Sequence, residues 1–184
     1  MWVKGSLPVY GFAGRIRPEL AAECGRALCS WGDPIRGESV KRGKFVIGRF
    51  DDGLVEASAE LIIDRWHPDP FPDWLTCIPS LTRPSLVPNF AQRLAVALKI
   101  KFIPAIVKTR QTKPQKEMEN SFHRSANLDG AFSIKKWEGM NGAVLLVDDM
   151  VDSGWTFTIL SALLRKEGSG SVYPFALADA SGAE

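Results

Sequence analysis

At 184 residues and 45% hydrophobic content, the chain is long enough for one filled core and too short for two ordinary domains. A charged fraction of 24% is normal for a soluble globular protein, and a net charge of +2 by itself selects neither nucleic acid nor membrane as a partner. No apolar run approaches the roughly 18 residues of a membrane span. The opening MWVKGSLPVYGFAGR lacks the apolar centre of a secretion signal, so no membrane partner and a cytoplasmic location are expected. Cys24, Cys29 and Cys77 form no CxxC pair and fit free thiols in a reducing compartment. A zinc site drawing on Cys24, Cys29 and His67 or His123 is the competing reading.

Residues 1–44 are rich in Gly, Pro and Arg, with one helix-like piece, PELAAECGRALCSWG. They are expected to form a small N-terminal hood, and residues 45–184 the main domain. KFVIGRF (44–50) reads as a strand. DGLVEASAELIIDRW (52–66) has the three-four apolar spacing of an amphipathic helix, with Asp51 and Asp52 near its start. PDWLTCIP is a second strand, followed by the loop PSLTRPSLVP. The next helix, PNFAQRLAVALK, presents Phe90, Leu94, Ala97 and Leu98, and FIPAIV is a third strand.

Residues 108–130 are polar for 23 positions, a length that in compact domains usually signals function. AFSI and AVLLV are strands, TFTILSALLRKEG is a helix closed by Gly168, and SVYPFALA is the last strand. Strands alternating with helices indicate a mostly parallel sheet covered on both faces. Ligands of such sheets sit beyond the carboxyl ends of the strands. The polar stretches 79–86, 108–130 and 148–156 all follow strands and converge there.

The stretch AVLLVDDMVDSGWT (143–156) concentrates the chemistry. A strand ending at Val147 delivers Asp148 and Asp149 to the crevice on opposite faces. Gly154 lets the backbone approach a ligand, and Thr156 opens a helix whose first N–H groups favour an anion. Hydroxyl acceptors beside a phosphate cradle suit a phosphorylated sugar. The alternative is a pair of solvated carboxylates at a turn, with Thr156 as a simple cap.

VLLVDDMVDSGWT resembles the 13-residue phosphoribosyl pyrophosphate signature of type I phosphoribosyltransferases. That resemblance implies an α/β fold with a mostly parallel twisted sheet, a flexible loop and a hood. It also implies that Asp148 and Asp149 bind the ribose hydroxyls, with a catalytic part for either in steering a proton. Asp152, Ser153, Gly154, Trp155 and Thr156 would wrap the 5′-phosphate. The loop PSLTRPS would hold pyrophosphate through Ser80, Leu81, Thr82 and Arg83. The stretch from Arg110 resembles the ComF-like subfamily, with Thr112, Gln115, Arg124, Asn127, Gly130 and Phe132 in the matching order; this loop would close over the site. Mg2+ is expected to arrive with the substrate near Asp148 and Asp149, with no direct protein site.

A longer likeness joins GRALCSWGDP, KFVIGRFDD, WLTCIPSLTRPSLVPNFAQRLAVAL and TKPQKEMENS to the signature. Together these resemble the phosphoribosyltransferase-like C-terminal region of some bacterial RecQ-type DNA helicases. The chain has no GxxxxGK phosphate loop of its own, so it would be a helicase domain or a free-standing relative. Transfer of phosphoribose to a nitrogen base is the activity implied. The alternative is a non-catalytic module that binds the metabolite or single-stranded DNA and serves such a helicase. Lys108, Arg110, Lys113, Lys116 and Arg124 would supply the DNA contacts. Dimers are common in the family, so a homodimer is a further expectation.

Overall fold

The computed structural model describes residues 2–112 and 127–182. In chain order its strands are β1 (Trp2–Leu7), β2 (Phe12–Arg15), β3 (Arg26–Ser30), β4 (Trp74–Cys77), β5 (Lys101–Phe102), β6 (Ile106–Lys108), β7 (Phe132–Ile134), β8 (Val144–Val151) and β9 (Val172–Asp179). The helices are α1 (Arg36–Arg42), α2 (Asp52–Glu60), α3 (Leu86–Leu98) and α4 (Trp155–Lys166). Five strands form one sheet in the order β3-β9-β8-β4-β5, with every pairing parallel. β1 and β2 make an antiparallel ribbon, and β6 and β7 make a second.

The aliphatic run Val144–Val147 forms the buried half of the central strand β8, and all four side chains are fully buried. Val144 and Leu146 face a core with Ile159, Leu160 and Leu164 of α4, while Leu145 and Val147 face one with Val40, Leu54, Phe90 and Leu94 of α1, α2 and α3. Helices therefore cover both faces, as the alternation of elements predicts. Burying each of these aliphatic side chains stabilises the fold by about 1.5–3 kcal/mol. α2 is fixed at its start by Asp51, whose carboxylate accepts the Leu54 N–H at 2.9 Å. α3 buries Phe90, Ala91, Leu94, Ala95 and Leu98. The expected Ala97 is exposed instead, because Ala91 and Ala95 complete the stripe.

Two expectations in the first 50 residues fail. Residues 44–50 are no strand: α1 continues as a π-helical turn, Gly43–Ile47, which ends at Gly48 with φ +78°. Phe45, Val46 and Ile47 are 60%, 78% and 56% exposed, so their β-forming side chains meet no strand edge, and context overrides propensity. The helix-like piece before it is a 3-10 turn at Pro18–Leu20 followed by β3, which pairs with β9 from Arg26 opposite Phe175 to Ser30 opposite Asp179. Gly25 permits this approach, since a Cβ there would lie 2.9 Å from the Pro174 carbonyl oxygen. FIPAIV divides into β5 and β6 around Pro104, which has no N–H to offer a ladder.

The β6–β7 arm holds the two roots of the polar stretch together. The Thr109 N–H and hydroxyl donate to the carbonyls of Ala131 and Gly130, and Arg110 donates to the Asp129 carbonyl. The Tyr10 hydroxyl ties the N-terminal ribbon to this arm by accepting the Phe132 N–H at 2.8 Å and facing the Leu128 carbonyl at 3.0 Å. Cys24 is exposed, Cys29 donates to the Leu177 carbonyl, and Cys77 is buried. Among the described residues no three His, Cys, Asp or Glu side chains gather to hold a metal, and His123 lies outside them. No described helix is long and apolar enough to cross a membrane.

Candidate functional site

Parallel strands end on one side of the sheet, and there the loops leaving β4 and β8 meet the β6–β7 arm in a cleft of about 320 Å³. Ser80, Thr82 and Arg83 line it from the loop after β4, and Lys108 and Thr112 from the end of β6 onward. Asp148, Asp149 and Thr156 line it from β8 and the start of α4. Leu81 is 47% exposed and stands outside the lining.

β8 runs through the acid pair to Val151, so the two aspartates keep the strand's alternation. Asp149 turns to the α1 side and meets Lys44, whose Nζ is 3.0 Å from Oδ2 and 3.2 Å from Oδ1. The Asp148 carboxyl accepts the Asp149 backbone N–H at 2.8 Å. Burial is the main force raising the Asp148 carboxyl well above the usual carboxylate range, and the neighbouring Asp149 charge adds to it. The bonded N–H, Lys44 and Lys108 oppose that rise. Burial lowers the Lys108 ammonium, against the pull of Asp148. Burial, with Asp148 nearby, pushes the Cys77 thiol up to about 12, which keeps it an inert core thiol.

Gly154 precedes α4 with φ +72° and has no side chain to cap it. The first N–H groups of a helix have no partner inside it, so this turn is suited to an anion. Trp155 is 7% exposed and turns into the core with Phe157 and Leu160, while Thr156 lines the cleft; Asp152, Ser153, Gly154 and Trp155 stand outside its lining. Asp152 and Ser153 are half-buried in the turn between. Ser80 and Thr82 share a hydroxyl contact of 3.0 Å, and the Ser80 hydroxyl accepts the Arg83 N–H at 3.3 Å. The Arg83 guanidinium lies 5.4 Å from the Phe45 ring centre, and the Lys44 ammonium 5.8 Å from it. Lys44, Arg83 and Lys108 thus set three cations around two acids, one of which is inclined to hold a proton. That balance favours an anionic ligand.

Solved adenine phosphoribosyltransferases are similar to this chain over part of its length. One matches over 70% of this chain and 71% of its own, at 19% identity and a TM-score of 0.47. That of Leishmania tarentolae matches over 70% and 72%, at 14% identity and a TM-score of 0.41. That of Trypanosoma brucei, in complex with AMP, pyrophosphate and ribose-5-phosphate, matches over 84% of each chain at 14% identity and a TM-score of 0.43. No protein-family model matches the chain, and no curated protein matches it. Likeness at this level concerns the path of the backbone and assigns no role to any residue.

Of the residues singled out from the sequence, Asp148, Asp149, Ser80, Thr82, Arg83, Thr112 and Thr156 come together in one cleft. Asn127 is half-buried next to Leu128, which lines it. Gln115 and Arg124 lie outside the described residues. Lys44 carries no site signal in the sequence, because its segment reads as a strand. Lys108 stands out in the sequence only as a charge of the polar stretch, because β6 belongs to the antiparallel β6–β7 arm and the strand-end rule for the parallel sheet does not reach it.

Proposed function

We propose that the cleft binds phosphoribosyl pyrophosphate or a related phosphorylated ribose. The observation that carries this reading is the meeting of three loops chosen from sequence in one cleft, around an acid pair and three cations. The turn at Gly154 and the first amides of α4, with Asp152, Ser153 and Thr156, suit the 5′-phosphate. Asp148 and Asp149 suit the 2′- and 3′-hydroxyls. The backbone of Ser80, Leu81 and Thr82, with the Arg83 guanidinium, suits pyrophosphate. Mg2+ belongs to this reading as a cation delivered on the pyrophosphate. Two carboxylates are too few for an all-protein seat but enough to share an ion that keeps phosphate and water ligands, and when bound it would neutralise the leaving group.

Transfer to a nitrogen base is the activity this arrangement serves. Pyrophosphate leaves C1 with the bonding pair, a nitrogen lone pair forms the new bond, and positive charge develops at C1 between the two events. The proton of that nitrogen passes to solvent, with Asp148 or Asp149 assigned to steer it. Holding the sugar at both ends fixes C1 in line with its acceptor, which is where catalysis of this kind gains most. Thr112, Gln115, Arg124 and Asn127 are assigned to excluding water during the transfer.

A second reading, a module that binds the metabolite without turnover, is favoured by the Lys44–Asp149 pair, which occupies one of the two acids. The sequence likeness to ComF-like transferases suits the first version, and that to the RecQ-type helicase region suits the second, with single-stranded DNA as a further ligand. Calorimetry with phosphoribosyl pyrophosphate and Mg2+, followed by pyrophosphate release with a panel of bases, separates them. Absence of binding heat removes both. Binding to oligonucleotides that weakens steeply with salt would support the DNA version, and salt-independent affinity would remove it.

A further inference from the structure

Lys44 makes a contact that the transfer chemistry does not use. It sits in the π-helical turn extending α1 and reaches a strand 105 residues further along the chain. Both partners are sheltered, the Lys44 side chain 15% exposed and that of Asp149 13%. An ion pair held in such a place resists separation, because removing either charge leaves the other poorly solvated and uncompensated. Asp149 is therefore already neutralised in the protein without ligand.

A divalent cation cannot share Asp149 with that ammonium. Mg2+ demands close oxygen ligands in near-octahedral geometry, and an ammonium 3.0 Å from the same carboxylate would repel it. The ion must displace Lys44 or stay away. A free hydrated ion brings no anion, so the displaced Lys44 would be stranded in its sheltered position. An ion carried on pyrophosphate brings oxygens for Lys44 to pair with, beside Arg83, which shares the Phe45 ring with it. Exchange is compensated in the second case only.

We infer that Lys44 is a specificity-determining residue: it reserves Asp149 for a divalent cation already chelated by a phosphate-bearing ligand and keeps the free ion out. This rests on the sugar-phosphate reading above. It also explains why an acid pair at the mouth of a cleft need not collect metal before its ligand arrives.

The test follows Mn2+ binding to the full chain by electron paramagnetic resonance, which reports the ion free or bound and requires no turnover. In the wild type, Mn2+ alone is expected to remain free, and added inorganic pyrophosphate to bring it onto the protein. Lys44→Met should bind Mn2+ alone at least tenfold more tightly than wild type, Lys44→Arg should behave as wild type, and Asp149→Asn placed in the Lys44→Met background should remove the gain. Equal affinity of the wild type for Mn2+ with and without pyrophosphate would overturn the inference, and that result needs no variant to fold. So would a Lys44→Met protein, folded by circular dichroism, that binds Mn2+ no better. Calorimetry with phosphoribosyl pyrophosphate on the same wild-type sample reports separately on the sugar-phosphate reading. Absent heat there, with the Mn2+ pattern intact, would discard the ligand and keep the role of Lys44.

Discussion

The Asp149 backbone N–H donates to the Asp148 carboxylate at 2.8 Å while the two side chains leave opposite faces of β8. One link of the chain thus joins the acids, and Lys44 acts on both. Asp149 is paired with Lys44, whereas Asp148 feels Lys108 and Lys44 only through space. The two carboxylates are chemically unequal, and a ribose diol would meet one acceptor and one group that readily holds a proton.

If these acids bind the ribose hydroxyls, replacing both has a large effect. Asp148→Asn with Asp149→Asn is expected to weaken phosphoribosyl pyrophosphate binding by about 3 kcal/mol, the worth of one charge-assisted hydrogen bond at Asp149 and one ordinary one at Asp148. Titration calorimetry measures it. Unchanged affinity in the double variant would remove the pair from the site.

The raised Asp148 carboxyl has a consequence for stability. Folding raises its pKa above the unfolded value, so the folded state holds the proton more tightly. Its contribution to stability is full below the ordinary carboxylate value of 3.8 and is lost as pH rises through the folded value. As pH rises above the ordinary carboxylate value, the group increasingly opposes folding. Asp148→Asn removes that opposition, and its melting temperature should exceed the wild type's at pH 8, with the gap narrowing toward acid pH. A gap that widens toward acid would mean that the carboxyl is lowered by folding instead.

The central strands were legible in the sequence because parallel strands buried on both faces read as unbroken aliphatic runs, as in Val144–Val147. α2, α3 and α4 were legible from their three-four spacing. The first 50 residues were not. β3 is an edge strand whose five residues include one buried position, Leu28, so it carries little pattern. Phe45, Val46 and Ile47 have the composition of a strand but sit where α1 runs on. The aspartates and the Ser80–Arg83 loop could be placed by the strand-end rule, which needs only local sequence. The partnership of Lys44 with Asp149 could not, since tertiary packing of the misread segment creates it.

Gly154 tests the phosphate turn. Its φ of +72° is a conformation that a β-branched residue adopts at a cost of about 1–2 kcal/mol, and a Cβ there would stand between backbone and anion. Gly154→Val should abolish binding of ribose-5-phosphate, while Gly154→Asn, which tolerates the conformation better, should retain more of the fold's stability. Calorimetry and thermal melting read the two effects separately. Full ribose-5-phosphate affinity in Gly154→Val would move the phosphate elsewhere.

Tyr10 tests how the N-terminal ribbon is held. Its hydroxyl accepts the Phe132 N–H and contacts the Leu128 and Phe132 carbonyls. Tyr10→Phe leaves a buried N–H without its partner, and a loss of about 1–3 kcal/mol in urea unfolding is expected. A loss within experimental error would show that water or another group takes the hydroxyl's place.

Arg83 separates the two ends of the proposed ligand. It is exposed at the cleft, lies over Phe45 and has its N–H on Ser80, so the loop is shaped without needing the guanidinium. Arg83→Ala should therefore leave the fold and the 5′-phosphate turn intact. Affinity for phosphoribosyl pyrophosphate is expected to fall about tenfold to a hundredfold, the range of one lost charge-assisted contact. Affinity for ribose-5-phosphate, which lacks the pyrophosphate, should hold. Equal losses for both ligands would place Arg83 at the sugar or at its 5′ end. No loss for either would leave the loop after β4 without a charged ligand contact, and Lys44 and Lys108 as the cations that face pyrophosphate.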